Sequence, residues 1–173
     1  MSKCRQAGFT LIELIVVVCV VVILIGTLLY KVSDYQEQAE KVAMQQVVSA
    51  LQSALTLEYG NLMTRGKESL VSELLVQNPM DWLQKQPENY SGAFYAPTPG
   101  SVAPGNWVFD LRSRQLIYVV DRGEHFKPGP DGYKWVRFHV RLDYSPPLGG
   151  GKKTLTGVLF EPVEPYSWFS GGN

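Results

Sequence analysis

Residues 9–30 form an unbroken apolar run of 22 positions in which Glu13 is the single acidic or basic side chain. As a helix rising about 1.5 Å per residue, the run covers about 33 Å, enough to cross a bilayer core. The pattern then changes without a break. No Pro or Gly occurs in residues 31–59, and Val32, Tyr35, Ala39, Val42, Val47, Ala50, Leu51, Ala54 and Leu55 recur mostly at steps of three and four. Asp34, Glu37, Glu40, Lys41, Gln45, Gln52 and Glu58 fall on the other face and read as solvated. Gly60-Asn61 reads as a stop signal. The pattern predicts one helix of about 50 residues, apolar all round in its first half and amphipathic in its second. An apolar stripe beyond the lipid must pack on something, and a sheet is the expected partner. A free-standing coiled coil is the alternative, although Ala and Gln interrupt its seam.

Residues 67–86 read as a weaker helical region. Leu70, Val71, Leu74 and Leu75 share a face, Asn78-Pro79 interrupts it, and Asp81 can cap a short turn through Trp82 and Leu83. Pro97, Pro99, Gly100, Pro104 and Gly105 make residues 91–105 a loop without regular structure. Residues 106–111 and 115–120 read as a hairpin joined by Arg112-Ser113-Arg114, and 121–133 as a turn-rich connection. In residues 133–144, Val136, Phe138, Val140 and Leu142 alternate with Arg137, His139, Arg141 and Asp143, the period of a half-buried strand. Pro146-Pro147 and Gly149 to Gly151 end it, and residues 153–162 supply a fourth strand. The tail, residues 164–173, carries Tyr166, Trp168 and Phe169, which could fold back on the sheet, but the pattern gives it no definite place. The fold class expected is α+β, a long N-terminal helix packed on an antiparallel sheet of about four strands.

Charge and composition narrow the function. The 173 residues carry 16 basic and 16 acidic side chains, a balance that gives no reason to expect non-specific nucleic-acid binding. The two cysteines, Cys4 and Cys19, lie before or within the apolar run, so no disulfide staples the residues beyond it. His125 and His139 are isolated, and no phosphate-binding loop or nucleophile elbow occurs. A loop metal site from Asp121, Glu124, His125 and Asp131 lacks the ordered carboxylate spacing of a known loop, and these read as solvated turn residues. Arg112, Arg114, Lys134, Arg137 and Arg141 give the strands a mildly basic character that reads first as a solvated face. The expectation is a non-enzyme with no cofactor and no metal.

At the N-terminus the pattern is more specific. Lys3 and Arg5 precede Gly8-Phe9-Thr10-Leu11-Ile12-Glu13, and the apolar run follows with no gap. This segment resembles the processing site of type IV pilins and of the pseudopilins of type II secretion. The resemblance implies that a membrane-embedded prepilin peptidase cuts between Gly8 and Phe9 and methylates the new amine of Phe9. It also implies that Glu13 is needed for assembly. Physical reasons support each transfer. Gly8 lets an extended backbone lie close in a peptidase cleft. Cleavage frees an amine that is cationic near neutral pH. A carboxylate at the centre of a membrane helix costs about 2.5 to 3.5 kcal/mol on insertion scales, so a Glu there marks function and wants a partner. The Phe9 amine of an incoming subunit can pair with Glu13 of its neighbour, which sets register more than it adds stability.

The domains that follow are a leader, residues 1–8, removed; a membrane and filament-core helix, 9–30; its amphipathic continuation, 31–60; a helical connector and loop, 61–105; and the sheet and tail, 106–173. Removal of the leader takes Lys3 and Arg5 and leaves 14 basic against 16 acidic side chains. Those two cations place the N-terminus in the cytoplasm, so the outer domain is periplasmic on a single span of the bacterial inner membrane. The implied partners are the peptidase, other pilin or pseudopilin subunits, membrane lipid and an inner-membrane assembly platform with a separate ATPase. A missing outer-domain disulfide favours a minor subunit over a major pilin. The phrase Asn78-Pro79-Met80-Asp81-Trp82-Leu83 with Pro87-Glu88-Asn89-Tyr90 resembles minor pilin-like proteins of the mannose-sensitive-haemagglutinin type. A type II secretion pseudopilin shares every N-terminal feature. Two further alternatives are a plain signal anchor with an incidental Glu13 and a membrane-anchored adhesive or ligand-binding module, including a DNA-binding one.

Overall fold

The computed structural model describes residues 10–145 and 154–169. One helix, α1, runs Leu11–Thr64. It contributes to two compact units, residues 1–38 and 39–173. In the first unit the helix is bare, with Leu11 through Tyr30 all exposed. Its Val- and Ile-rich run has strand propensity in water. In a lipid environment the backbone must satisfy its own hydrogen bonds, and a lone segment does that only as a helix.

Among the described residues the second unit contains residues 39–64 of α1, two 3-10 helices at Glu68–Leu75 and Pro79–Trp82, and seven strands. These are β1 (Tyr90–Phe94), β2 (Trp107–Asp110), β3 (Gln115–Val119), β4 (Phe126–Lys127), β5 (Trp135–Ser145), β6 (Thr154–Pro162) and β7 (Ser167–Trp168). The main sheet has the order β1-β2-β3-β5-β6, and β4 pairs with β7 in a separate two-stranded sheet. The α+β class is as expected. The sheet has five strands where about four were expected, and it is mixed, because β1 runs parallel to β2. The other pairs of the sheet are antiparallel.

The alternation along β5 fixes which face is inside. Val136, Phe138 and Val140 join Met44, Leu51 and Leu55 of α1, and Trp107, Phe109 and Leu116 of β2 and β3, in one core. Trp107 lies between Tyr118 and Phe138, with ring centroids 4.8 and 5.8 Å away. A smaller cluster of Val102, Val108, Ile117 and Val119 sits on the opposite face of the sheet.

Four expectations need correction. Residues 91–105 are not without regular structure: Ser91 to Phe94 belong to β1, and the Pro- and Gly-rich remainder is the long connection that a parallel pair requires. The helix does not stop at Gly60-Asn61. It closes at Gly66, whose φ is +66°, with Gly66 N–H donating to Met63 O (3.1 Å) and Lys67 N–H to Leu62 O (2.9 Å). That bond pair is a Schellman cap, and its left-handed residue is what glycine allows. The tail has a place, since β7 pairs with β4 and Trp168 is buried in the core. Finally, the buried face of the helix matches the apolar stripe read from the sequence only in part: Leu51 and Leu55 are buried as expected. Tyr35 and Val42 are exposed, whereas Glu37 is buried, 2% exposed. Pro146, Pro147, Gly149 to Gly151, Lys153 and the last four residues lie outside the described residues.

Candidate functional site

The expected processing junction, Gly8 and Phe9, lies outside the described residues, and Glu13 lies inside them. Thr10 opens the helix. Its hydroxyl oxygen accepts the Glu13 N–H at 3.3 Å, and its carbonyl accepts the Leu14 N–H at 3.1 Å. Thr10-Leu11-Ile12-Glu13 therefore has the spacing of a capping box, of which the hydroxyl half is formed. This local signal was present in the sequence and was missed beside the larger pattern. The first turn also carries the positive end of the helix dipole, which favours a carboxylate.

Depth changes the energetics. Glu13 stands two residues into α1, about 3 Å along an axis that extends about 30 Å to Tyr30. The insertion cost at a helix centre does not apply at that end, where a side chain reaches the interface. From Leu14 to Tyr30 no other acid or base occurs, so Glu13 is the one charged position along this part of the helix.

The remaining singled-out residues are scattered. Asp131 accepts from the Arg137 guanidinium and from the Tyr133 N–H at 3.1 Å. Burial pushes its carboxyl up, but these donors together hold it below the usual carboxylate range. Asp121 lies 3.9 Å from Arg122, and the His125 ring stacks on Phe169 at 4.7 Å. Among the described residues no group of three or more metal-ligating side chains forms. Arg141 is bound by both oxygens of Glu161, so the basic face of β5 is partly neutralised.

Sequence reasoning also missed residues that lock the second unit. Glu40, expected on a solvated face, accepts from Tyr118 Oη (3.0 Å), Asp121 N–H (2.8 Å) and Arg122 N–H (2.7 Å). Lys41 Nζ donates to the Trp168 carbonyl at 2.7 Å. Gln52 donates to Val158 O at 3.2 Å and accepts from Phe160 N–H at 2.7 Å. The spacing 37, 44, 51 and 41, 48, 55 was the available signal. It is a heptad whose first turns are polar.

Known proteins meet this chain at one end. Residues 3–29 match the family model described as the prokaryotic N-terminal methylation motif. No curated protein and no solved structure gives a significant match. The match spans the basic leader, the Gly8-Phe9 junction, Glu13 and nearly all of the bare apolar helix. The chain thus begins with a class III signal of the type IV pilin and pseudopilin kind, the mark of a pilin-like precursor that a prepilin peptidase processes.

Proposed function

We propose that this protein is a structural, non-enzymatic subunit of a type IV pilus or pilus-like filament. It is cut between Gly8 and Phe9, methylated at the Phe9 amine, and held in the inner membrane with its outer domain in the periplasm until assembly. The observation that carries this reading is the matched motif leading into a helix whose first 20 residues, Leu11 to Tyr30, are exposed on every side. Such a surface is stable only in lipid or against other apolar helices. Glu13 then selects the axial position of a neighbour by pairing with its freed amine. Assembly energy comes from a separate ATPase at the membrane platform.

A minor subunit fits better than a major one, because no cysteine lies beyond Cys19 to staple the outer domain. The same observation suits a pseudopilin of a type II secretion system. Loss of surface fibres on deletion identifies the first, and loss of secretion with fibres intact identifies the second.

Glu13→Leu is the discriminating variant. In the native host it remains in the membrane fraction and falls at least about tenfold in sheared filaments, the factor that about 1.4 kcal/mol of lost pairing produces. Wild-type incorporation of this variant overturns the pairing, whereas absence of the wild-type protein itself from sheared filaments leaves a membrane-anchored binding module as the better reading.

A further inference from the structure

The main sheet has a second face, opposite the one that meets Met44, Leu51 and Leu55. On it a groove of about 470 Å³ runs between the loop carrying Pro97 and Pro99 and the start of β5. We propose that this groove binds a glycan bearing a uronic acid.

Its lining supplies rings and a cation. Tyr133 is 41% exposed, and its ring centroid lies 5.3 Å from that of Trp135 at a tilt of 40°. The Arg137 guanidinium sits 5.3 Å from the Trp135 ring and is itself held by Asp131. The rings are therefore fixed before a ligand arrives, and with the prolines opposite they offer apolar surface to the C–H faces of a sugar. Arg112 also lines the groove. Its N–H donates to Asp110 Oδ1 at 2.9 Å, which fixes the backbone, while among the described residues its guanidinium makes no ion pair. A fixed backbone with a free guanidinium fork suits a carboxylate. Gln115, also lining the groove, brings an amide that can both donate to and accept from hydroxyls.

The charges select among anions. Asp110 is taken up by Ala96 N–H, Arg112 N–H and the Ser113 hydroxyl, and Arg137 by Asp131, so Arg112 alone is left for a ligand. One free cation fits one carboxylate. A nucleic-acid strand needs several cations along its phosphates, and the groove does not offer them.

The test is calorimetric titration of the full chain in detergent micelles with trigalacturonate, with neutral galactotriose and a ten-residue thymidine oligonucleotide as comparators. Saturable binding of trigalacturonate is expected, well above galactotriose. Arg112→Gln should weaken it about tenfold, the loss of one charge-assisted hydrogen bond. Tyr133→Ala should weaken it as well, and both exposed-site variants should melt as the wild type does. Absence of binding, equal binding of galactotriose, tighter binding of the oligonucleotide, or an Arg112→Gln protein that binds as well as wild type each overturns the proposal. None of these results bears on filament assembly, which the groove does not depend on.

Discussion

Glu40 shows how one side chain can join a helix to a loop. Its carboxylate takes two backbone N–H groups, of Asp121 and Arg122, and the hydroxyl of Tyr118. On an amphipathic helix a Glu reads as solvated, because periodicity reports where apolar residues go and is silent about where donors lie. The donors here come from the end of β3 and the turn after it, which no local pattern connects to position 40. Tyr118 pays a chemical consequence: burial pushes its phenol well above the usual value, and the charge of Glu40 beside it adds to the rise. Because the folded value exceeds the unfolded one, the related stability is intact below the unfolded pKa of about 10 and is lost as pH rises above it. Tyr90 and Tyr166 are raised by burial in the same direction. Tyr118→Phe should therefore lower stability by about 1 kcal/mol at neutral pH, the net worth of one hydrogen bond, and flatten part of the alkaline loss. Urea unfolding in detergent at neutral pH and at about pH 11 checks both effects. A variant whose alkaline loss equals that of the wild type contradicts the assignment.

Among the elements, β6 is an edge strand, the kind of surface that invites pairing with another chain. Gln52 covers part of that edge by hydrogen-bonding Val158 O and Phe160 N–H with one amide, as a neighbouring strand would. Gln52→Leu keeps the volume and removes both bonds, which should cost about 1–3 kcal/mol. The Phe160 amide should exchange with solvent at least about tenfold faster, read by hydrogen–deuterium exchange, while amides of β2 and β3 are unchanged. Unchanged protection at Phe160 contradicts a covering role for Gln52. Long elements with one clean period were legible: β5 alternates as its sequence does, and the β2–β3 hairpin pairs Asp110 with Gln115 across its turn. β1 was hidden because its partner is parallel and lies beyond a long Pro- and Gly-containing connection. The pairing of β7 with β4 was hidden because two residues are too few to show a period.

For the whole molecule, one sequence is divided between two solvents. In the second unit apolar side chains meet each other, and in the first Leu11 to Tyr30 are exposed. That division was plain from the order of residues, since no rearrangement of a single apolar helix can bury all its sides. The N-terminal motif over residues 3–29 was equally plain, because it rests on adjacency and not on folding. What was not legible was the polar part of the helix seam and the groove around Trp135, which depend on segments far apart in sequence. The proposed assembly depends on a freed amine, so the chemical state of the N-terminus decides it. Intact-mass and N-terminal fragment spectrometry of protein purified from its native membranes reads that state directly. The expected result is a chain beginning at Phe9 with one methyl group on its amine. A chain that still carries Met1 through Gly8 contradicts it.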